Sequence, residues 1–137
     1  MGQHIVCRVD EIPEREAKLV HVEGRDIAIF NLGDRFAAIA NRCPHEGADL
    51  CRGKVAAFVS ADGPGQYVME EERVMVRCPW HGWEFDLKNG QSYCDPRRMR
   101  VKSFEVNVTD GSALAEGPYK VEVFDVSTED KYVILTI

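Results

Sequence analysis

The chain has 137 residues, 45% hydrophobic and 29% charged, which suits one soluble globular domain with a core of its own. No apolar run approaches the ~20 residues of a membrane-crossing helix, and a formal net charge of −6 argues against nucleic-acid partners. The N-terminus shows no basic stretch followed by an apolar one, so no secretory signal is read there and the cytoplasm is the expected location.

The elements read as short strands. Ile5, Cys7 and Val9 alternate with Val6, Arg8 and Asp10, and Glu11-Ile12-Pro13-Glu14 breaks that strand, because proline cannot donate to a ladder. Lys18 to Val22 is the next strand, closed by Glu23-Gly24. Ile27 to Phe30 follows, with a turn at Leu32-Gly33-Asp34 and a partner strand from Phe36 to Ala40. After a first polar box come Val55 to Val59 and Gln66 to Met69, expected to form a hairpin across Asp62–Gly65. Glu70-Glu71-Glu72 reads as a solvated turn ending that hairpin, with a separate strand at Val74-Met75-Val76. Trp83, Phe85 and Leu87 then alternate with Glu84 and Asp86. Asn89-Gly90 signals a two-residue hairpin turn, Gln91 to Cys94 returns antiparallel, and Asp95-Pro96 opens a further loop. Arg100 to Val108, Tyr119 to Val126 and Tyr132 to Ile137 complete the series, with a turn at Asp110-Gly111. Turn residues recurring about every 8–12 positions, without a sustained helical period, indicate an all-β antiparallel sandwich or barrel.

The chemistry lies in two boxes. The first is Asn41-Arg42-Cys43-Pro44-His45-Glu46-Gly47-Ala48-Asp49-Leu50, and the second Arg77-Cys78-Pro79-Trp80-His81-Gly82-Trp83-Glu84-Phe85-Asp86. Each offers one thiolate and one imidazole. Together Cys43, His45, Cys78 and His81 supply two sulfur and two nitrogen ligands, the set of a [2Fe–2S] cluster in which histidines replace two cysteines on one iron. A structural zinc takes the same elements, but its usual spacing pairs Cys with Cys and His with His, whereas each box here carries one of each. The five cysteines are an odd count and do not read as a disulfide framework; Cys7, Cys51 and Cys94 are expected to be small buried hydrophobes. His4 and His21 read as ordinary strand residues without an acidic or cysteine partner. Trp83 reads as a core aromatic, and Trp80, between two ligands, as a shield for the cluster or part of a docking rim. Arg97, Arg98, Arg100 and Lys102 read as a solvated face, with an electrostatic dock as the sharper alternative.

In these boxes the chain resembles the Rieske iron–sulfur family, especially its soluble ferredoxins and the N-terminal domains of ring-hydroxylating oxygenases. The resemblance covers most of the chain and is weakest in its last stretch. It implies a Rieske fold with a base domain (residues 1–41 and 98–137), a cluster-binding subdomain inserted at about 42–97, and one [2Fe–2S] cluster per chain. Residues 46–77 between the boxes are longer than a minimal ferredoxin of the family has. Replacing two thiolates by neutral imidazoles makes the site less negative, so its potential rises above that of a plant-type ferredoxin. High-potential members carry a disulfide and two hydroxyl donors where this chain has Ala48, Trp80, Trp83 and Phe85, which implies a potential near the bottom of the Rieske range.

The function expected is a one-electron carrier, fed by a flavin-dependent reductase and delivering to a terminal oxygenase or related redox enzyme. His45 and His81 would form the electron exit, with Pro44 and Trp80 as an apolar docking rim. The alternative is the small Rieske subunit of an oxygenase complex or of a nitrite reductase. The chain is not expected to be an enzyme alone, because an oxygenase needs a second iron on two histidines and a carboxylate, and only His4 and His21 remain for that. No membrane partner is expected.

Overall fold

The computed structural model describes residues 3–44, 47–63, 66–79, 84–92, 100–112 and 130–137, and for 57–63 and 66–73 the backbone. Its strands are β1 (Gln3–Arg8), β2 (Ala17–Val22), β3 (Arg25–Asn31), β4 (Phe36–Ala40), β5 (Lys54–Gly63), β6 (Gln66–Arg77), β7 (Glu84–Asp86), β8 (Ser103–Asp110) and β9 (Lys131–Thr136). They form a six-stranded sheet ordered β1-β9-β8-β4-β3-β2 and a three-stranded sheet ordered β5-β6-β7. All pairings are antiparallel. The all-β reading of the sequence is thus the observed architecture.

The six-stranded sheet curls toward closure. Val6 and Cys7 of β1 share one apolar cluster with Ile27 and Ile29 of β3, Ala38 of β4, and Val133 and Leu135 of β9. His4 on β1 also reaches Glu23 in the β2–β3 turn, with Nε2 3.8 Å from Oε1, so the two outer strands of the sheet approach each other. A bulge between Ile5 and Cys7 shifts the β1–β9 register. It points the consecutive residues Val6 and Cys7 into one core, and the strict Ile5/Cys7/Val9 alternation expected from sequence does not hold. Beyond β1 the chain tightens into a 3₁₀ turn, Val9–Glu11, where the Arg8 N–H donates to Glu11 Oε2 at 2.7 Å.

β3 is the hinge of the architecture, because both of its faces are buried. Ile27 and Ile29 point into the barrel-like core, while Ala28 and Phe30 point into a second cluster shared with β6, β7 and the loops that carry the two boxes. All four residues are fully buried, which is why this strand reads as a continuous apolar run. β4 does the same, with Ala38 on one side and Ala37 and Ile39 on the other.

Two local expectations are corrected. The hairpin across Asp62–Gly65 forms, with Gly63 opposite Gln66. Its second strand, however, runs unbroken from Gln66 to Arg77, straight through Glu70-Glu71-Glu72. The ladder steps from Ala57↔Val74 to Phe58↔Glu70, so residues 71–73 bulge out of register while the strand continues. The charged run marks this bulge and not a turn. At Asn89-Gly90 the two-residue hairpin gives way to a longer loop. Phe85 bridges Ser92, the Gly90 N–H donates to the Asp86 carbonyl at 2.7 Å, and the Asp86 N–H to the Gln91 carbonyl at 2.8 Å. Asp86 is buried and its Oδ1 accepts the Lys88 N–H at 2.8 Å, drawing the turn back by one pair. Gly90 has φ +76, and a Cβ there would run into the Val101 carbonyl. The strands expected at Gln91–Cys94 beyond Ser92 and at Tyr119–Val126, and the loop at Asp95-Pro96, lie outside the described residues.

Candidate metal centre

Cys43 stands just beyond β4, in a loop whose ends are pinned together. Arg42 and Asp49 form an antiparallel bridge. Inside it the Cys43 N–H donates to the Ala48 carbonyl at 2.9 Å, and the Gly47 N–H to the Cys43 carbonyl at 2.8 Å. The loop then runs into a 3₁₀ turn, Leu50–Arg52, and on to β5.

Cys78 stands just beyond β6, in the connection to β7. Arg77 and Glu84 are the last facing pair before that connection, and their side chains also meet, Nη2 to Oε1, at 3.6 Å. The two boxes are brought together by a close approach at Gly53. A Cβ there would collide with the Arg77 carbonyl and lie 2.8 Å from Val76 Cγ2. The end of the first loop therefore lies directly on the residues that precede Cys78, and no side chain fits between them.

The result is that both cysteines join one apolar cluster. Cys43 and Cys78 are each at most 2% exposed, and both belong to the cluster that includes Phe30, Leu50, Val76 and Phe85. Their neighbours Pro44 and Pro79 are exposed, so each buried sulfur lies one residue from the surface. Two soft sulfur donors delivered from separate loops into one apolar cluster fit an iron–sulfur centre. His45 and His81, the other proposed ligands, lie outside the described residues, as do Trp80, Trp83, Cys94, Arg97 and Arg98. Among the described residues no three His, Cys, Asp or Glu side chains gather as a metal site.

The remaining cysteines differ from one another. Cys7 is fully buried in the barrel-like core, not in the cluster with Cys43 and Cys78. Burial pushes its thiol up to about 11. Cys51 is only partly buried, against the expectation of a fully buried residue, and packs on the edge of the Cys43 cluster. Burial first, and then the neighbouring Asp49 carboxylate, raise its pKa as well. Both thiols stay protonated at neutral pH. The two strand histidines are corrected in one respect, since each has an acidic neighbour: Glu23 for His4, and Asp26 for His21, whose Nδ1 is 2.7 Å from Oδ1 across the β2–β3 pair.

In the sequence Asn41 and Asp49 merely flank Cys43 in the first box; in the fold their side chains bond across the ends of the first loop. Asn41 is 3% exposed. Its Nδ2 donates to Asp49 Oδ1 at 2.9 Å, and its Oδ1 accepts the Cys51 N–H at 3.0 Å. The available signal was their placement, a short polar side chain on either side of the Cys43 loop, a type that readily bonds local backbone. Beside the same loop opens a cleft of about 340 Å³ lined by Arg25, Arg42, Lys102, Asp26, Asp49 and Phe104. Lys102 Nζ lies 5.3 Å from the centroid of the Phe104 ring.

Residues 2–105 match the family model for the Rieske [2Fe–2S] domain. The chain is 31% identical to the 3-phenylpropionate/cinnamic acid dioxygenase ferredoxin subunit of Photorhabdus laumondii over 112 residues, covering 82% of this chain and 91% of that protein. To the corresponding subunit of Escherichia coli K12 it is 30% identical over 118 residues, covering 86% and 96%. Among solved structures, the carbazole 1,9a-dioxygenase ferredoxin of Nocardioides aromaticivorans has a TM-score of 0.61 at 20% identity and 97% coverage of both chains. An NADH-dependent nitrite reductase small subunit of Mycobacterium tuberculosis has 0.66 at 24% identity, covering 98% of this chain and 95% of that one. At these identities the two structures attest the shared fold.

Proposed function

The chain belongs to the Rieske [2Fe–2S] domain family, and from that premise we propose that it is a one-electron carrier, the ferredoxin component of a dioxygenase-type system. It would take electrons from a flavin-dependent reductase, deliver them to a terminal oxygenase, and work in the cytoplasm. The observation that carries this reading is the delivery of two buried cysteines, Cys43 and Cys78, from separate loops into one apolar cluster one residue below the surface. The two ferredoxin subunits named above, matched over more than nine-tenths of their length, support the carrier role over that of a catalytic subunit.

Cys43, His45, Cys78 and His81 would hold the cluster, within a cluster-binding unit at about residues 42–97 set on a base formed by residues 1–41 and 98–137. When bound, the cluster accepts and donates one electron without a change of ligands. The chain's own part is to keep water from the sulfurs, through Phe30, Leu50, Val76 and Phe85, and to keep the electron path to the surface short. Burial among apolar side chains disfavours added negative charge, so the packing itself opposes reduction.

The test is reconstitution. The purified protein is expected to hold about two irons and two sulfides per chain. It should also couple NADH oxidation by a flavoprotein ferredoxin reductase to reduction of cytochrome c, at a rate proportional to its concentration. Iron-loaded protein that leaves that rate unchanged would overturn the carrier role, and protein containing zinc without sulfide would overturn the centre itself.

A further inference from the structure

Asn41 is bonded through both its backbone and its side chain beside the first box. Its backbone N–H donates to the Asp26 carbonyl of β3 at 3.0 Å, and its carbonyl accepts the Leu50 N–H at 2.7 Å. Its side chain takes the Cys51 N–H and gives an N–H to Asp49 Oδ1. Asn41, at the entry of the loop that holds Cys43, is thus tied to Asp49, Leu50 and Cys51 at its exit. A buried amide bonded at both its nitrogen and its oxygen favours one arrangement, and removing a partner costs more than the bond itself contributed.

We propose that Asn41 is a positioning residue for the centre: the Asn41–Asp49 hydrogen bond locks the Cys43 loop closed and thereby sets both the retention of iron and the reduction potential. The inference rests on Cys43 being a ligand. Reduction adds negative charge at the centre, and a loop held closed by its own hydrogen bonds keeps the buried Cys43 in one position and fixes how much water reaches that charge. A loop that breathes admits water and loses that fixed position.

The pair suggests its own test, because it has a polarity that can be reversed. Asn41→Asp removes the amide donor and sets a second carboxylate against that of Asp49, while leaving an oxygen for the Cys51 N–H. Asp49→Asn in the same chain restores a donor facing an acceptor with the roles exchanged and the net charge of the pair unchanged. Wild type, Asn41→Asp and the double variant are compared by hydrogen exchange of the Leu50 and Cys51 amides, by the rate of iron loss to a chelator, and by midpoint potential. The expected result is that Asn41→Asp speeds exchange and iron loss about tenfold, the scale of one charge-assisted bond, and shifts the potential. The double variant should return all three toward wild type. An Asn41→Asp protein indistinguishable from wild type, or a double variant no better than the single one, would overturn the proposal. If the wild type assembles no cluster, the exchange rates still decide whether the lock exists, and the carrier reading fails separately.

Discussion

Burial holds the Cys7 thiol at a pKa of about 11 against an ordinary value of 9.0, and the consequence has a definite sign. Between those values the unfolded chain gives up this proton while the folded one keeps it, so stability falls as pH rises through that window and is untouched below it. Denaturant midpoints measured across the window should fall less steeply for Cys7→Ala than for wild type, and equal slopes would mean the thiol does not titrate as its burial implies. The two cysteines of the boxes have a different fate. Alanine at Cys43, His45, Cys78 or His81, the four proposed ligands, should abolish cluster assembly, since each change would remove one of four protein bonds, whereas Cys51→Ser should keep the visible spectrum. A bleached Cys51→Ser protein would move the first box. The two Cys/His boxes from which the ligands are proposed, and their spacing, were plain in the sequence. The Asn41–Asp49 lock was not, because an asparagine before a cysteine reads as an ordinary loop residue until the fold shows which groups it faces.

β3 is the element on which the fold and the site meet. Ile29 and Phe30 are adjacent and equally buried, yet they serve different cores, the first in the cluster with Val133 and Leu135 and the second in the cluster with Cys43 and Cys78. Truncation to alanine should cost about 2–5 kcal/mol at Ile29 and about 3–5 kcal/mol at Phe30, measured by denaturant unfolding. Only Phe30→Ala should also shift the midpoint potential, because only it opens the cluster holding the two sulfurs to water; a shift of equal size from Ile29→Ala would show that the cores are not separate. The β2–β3–β4 run and the hairpin across Asp62–Gly65 were legible from apolar runs and turn residues. The continuity of β6 through Glu70-Glu71-Glu72 was not, since a bulge leaves the same charged signature as a turn and only the partner strand tells them apart. The longer loop at Asn89-Gly90 was hidden for a related reason. The residues signal a tight turn, but the buried carboxylate of Asp86 captures the Lys88 N–H and moves the pairing back.

At the scale of the whole molecule, a six-stranded, barrel-like sheet carries a smaller sheet formed by residues 54–86, and the boxes sit where β4 and β6 leave those sheets. That arrangement separates stability from redox chemistry: one core is aliphatic and remote, and the other surrounds the sulfurs. Ala48 is buried beside Cys43 and Phe85 is fully buried; with Trp80 and Trp83 they hold the sequence positions where, by the resemblance, high-potential members have a disulfide and two hydroxyl donors, so this chain has neither that bridge nor those hydroxyls. Two missing hydrogen bonds to a charged centre, each worth roughly 1.5–3 kcal/mol, lower the potential by on the order of 100–200 mV. Direct voltammetry of the loaded protein at neutral pH therefore tests ligation and environment together. The account predicts a one-electron midpoint near the lower end of the range of about −150 to +300 mV for histidine-ligated clusters. A value near about −400 mV would mean that four thiolates hold the iron, and one above about +100 mV would mean that the missing donors do not govern this centre.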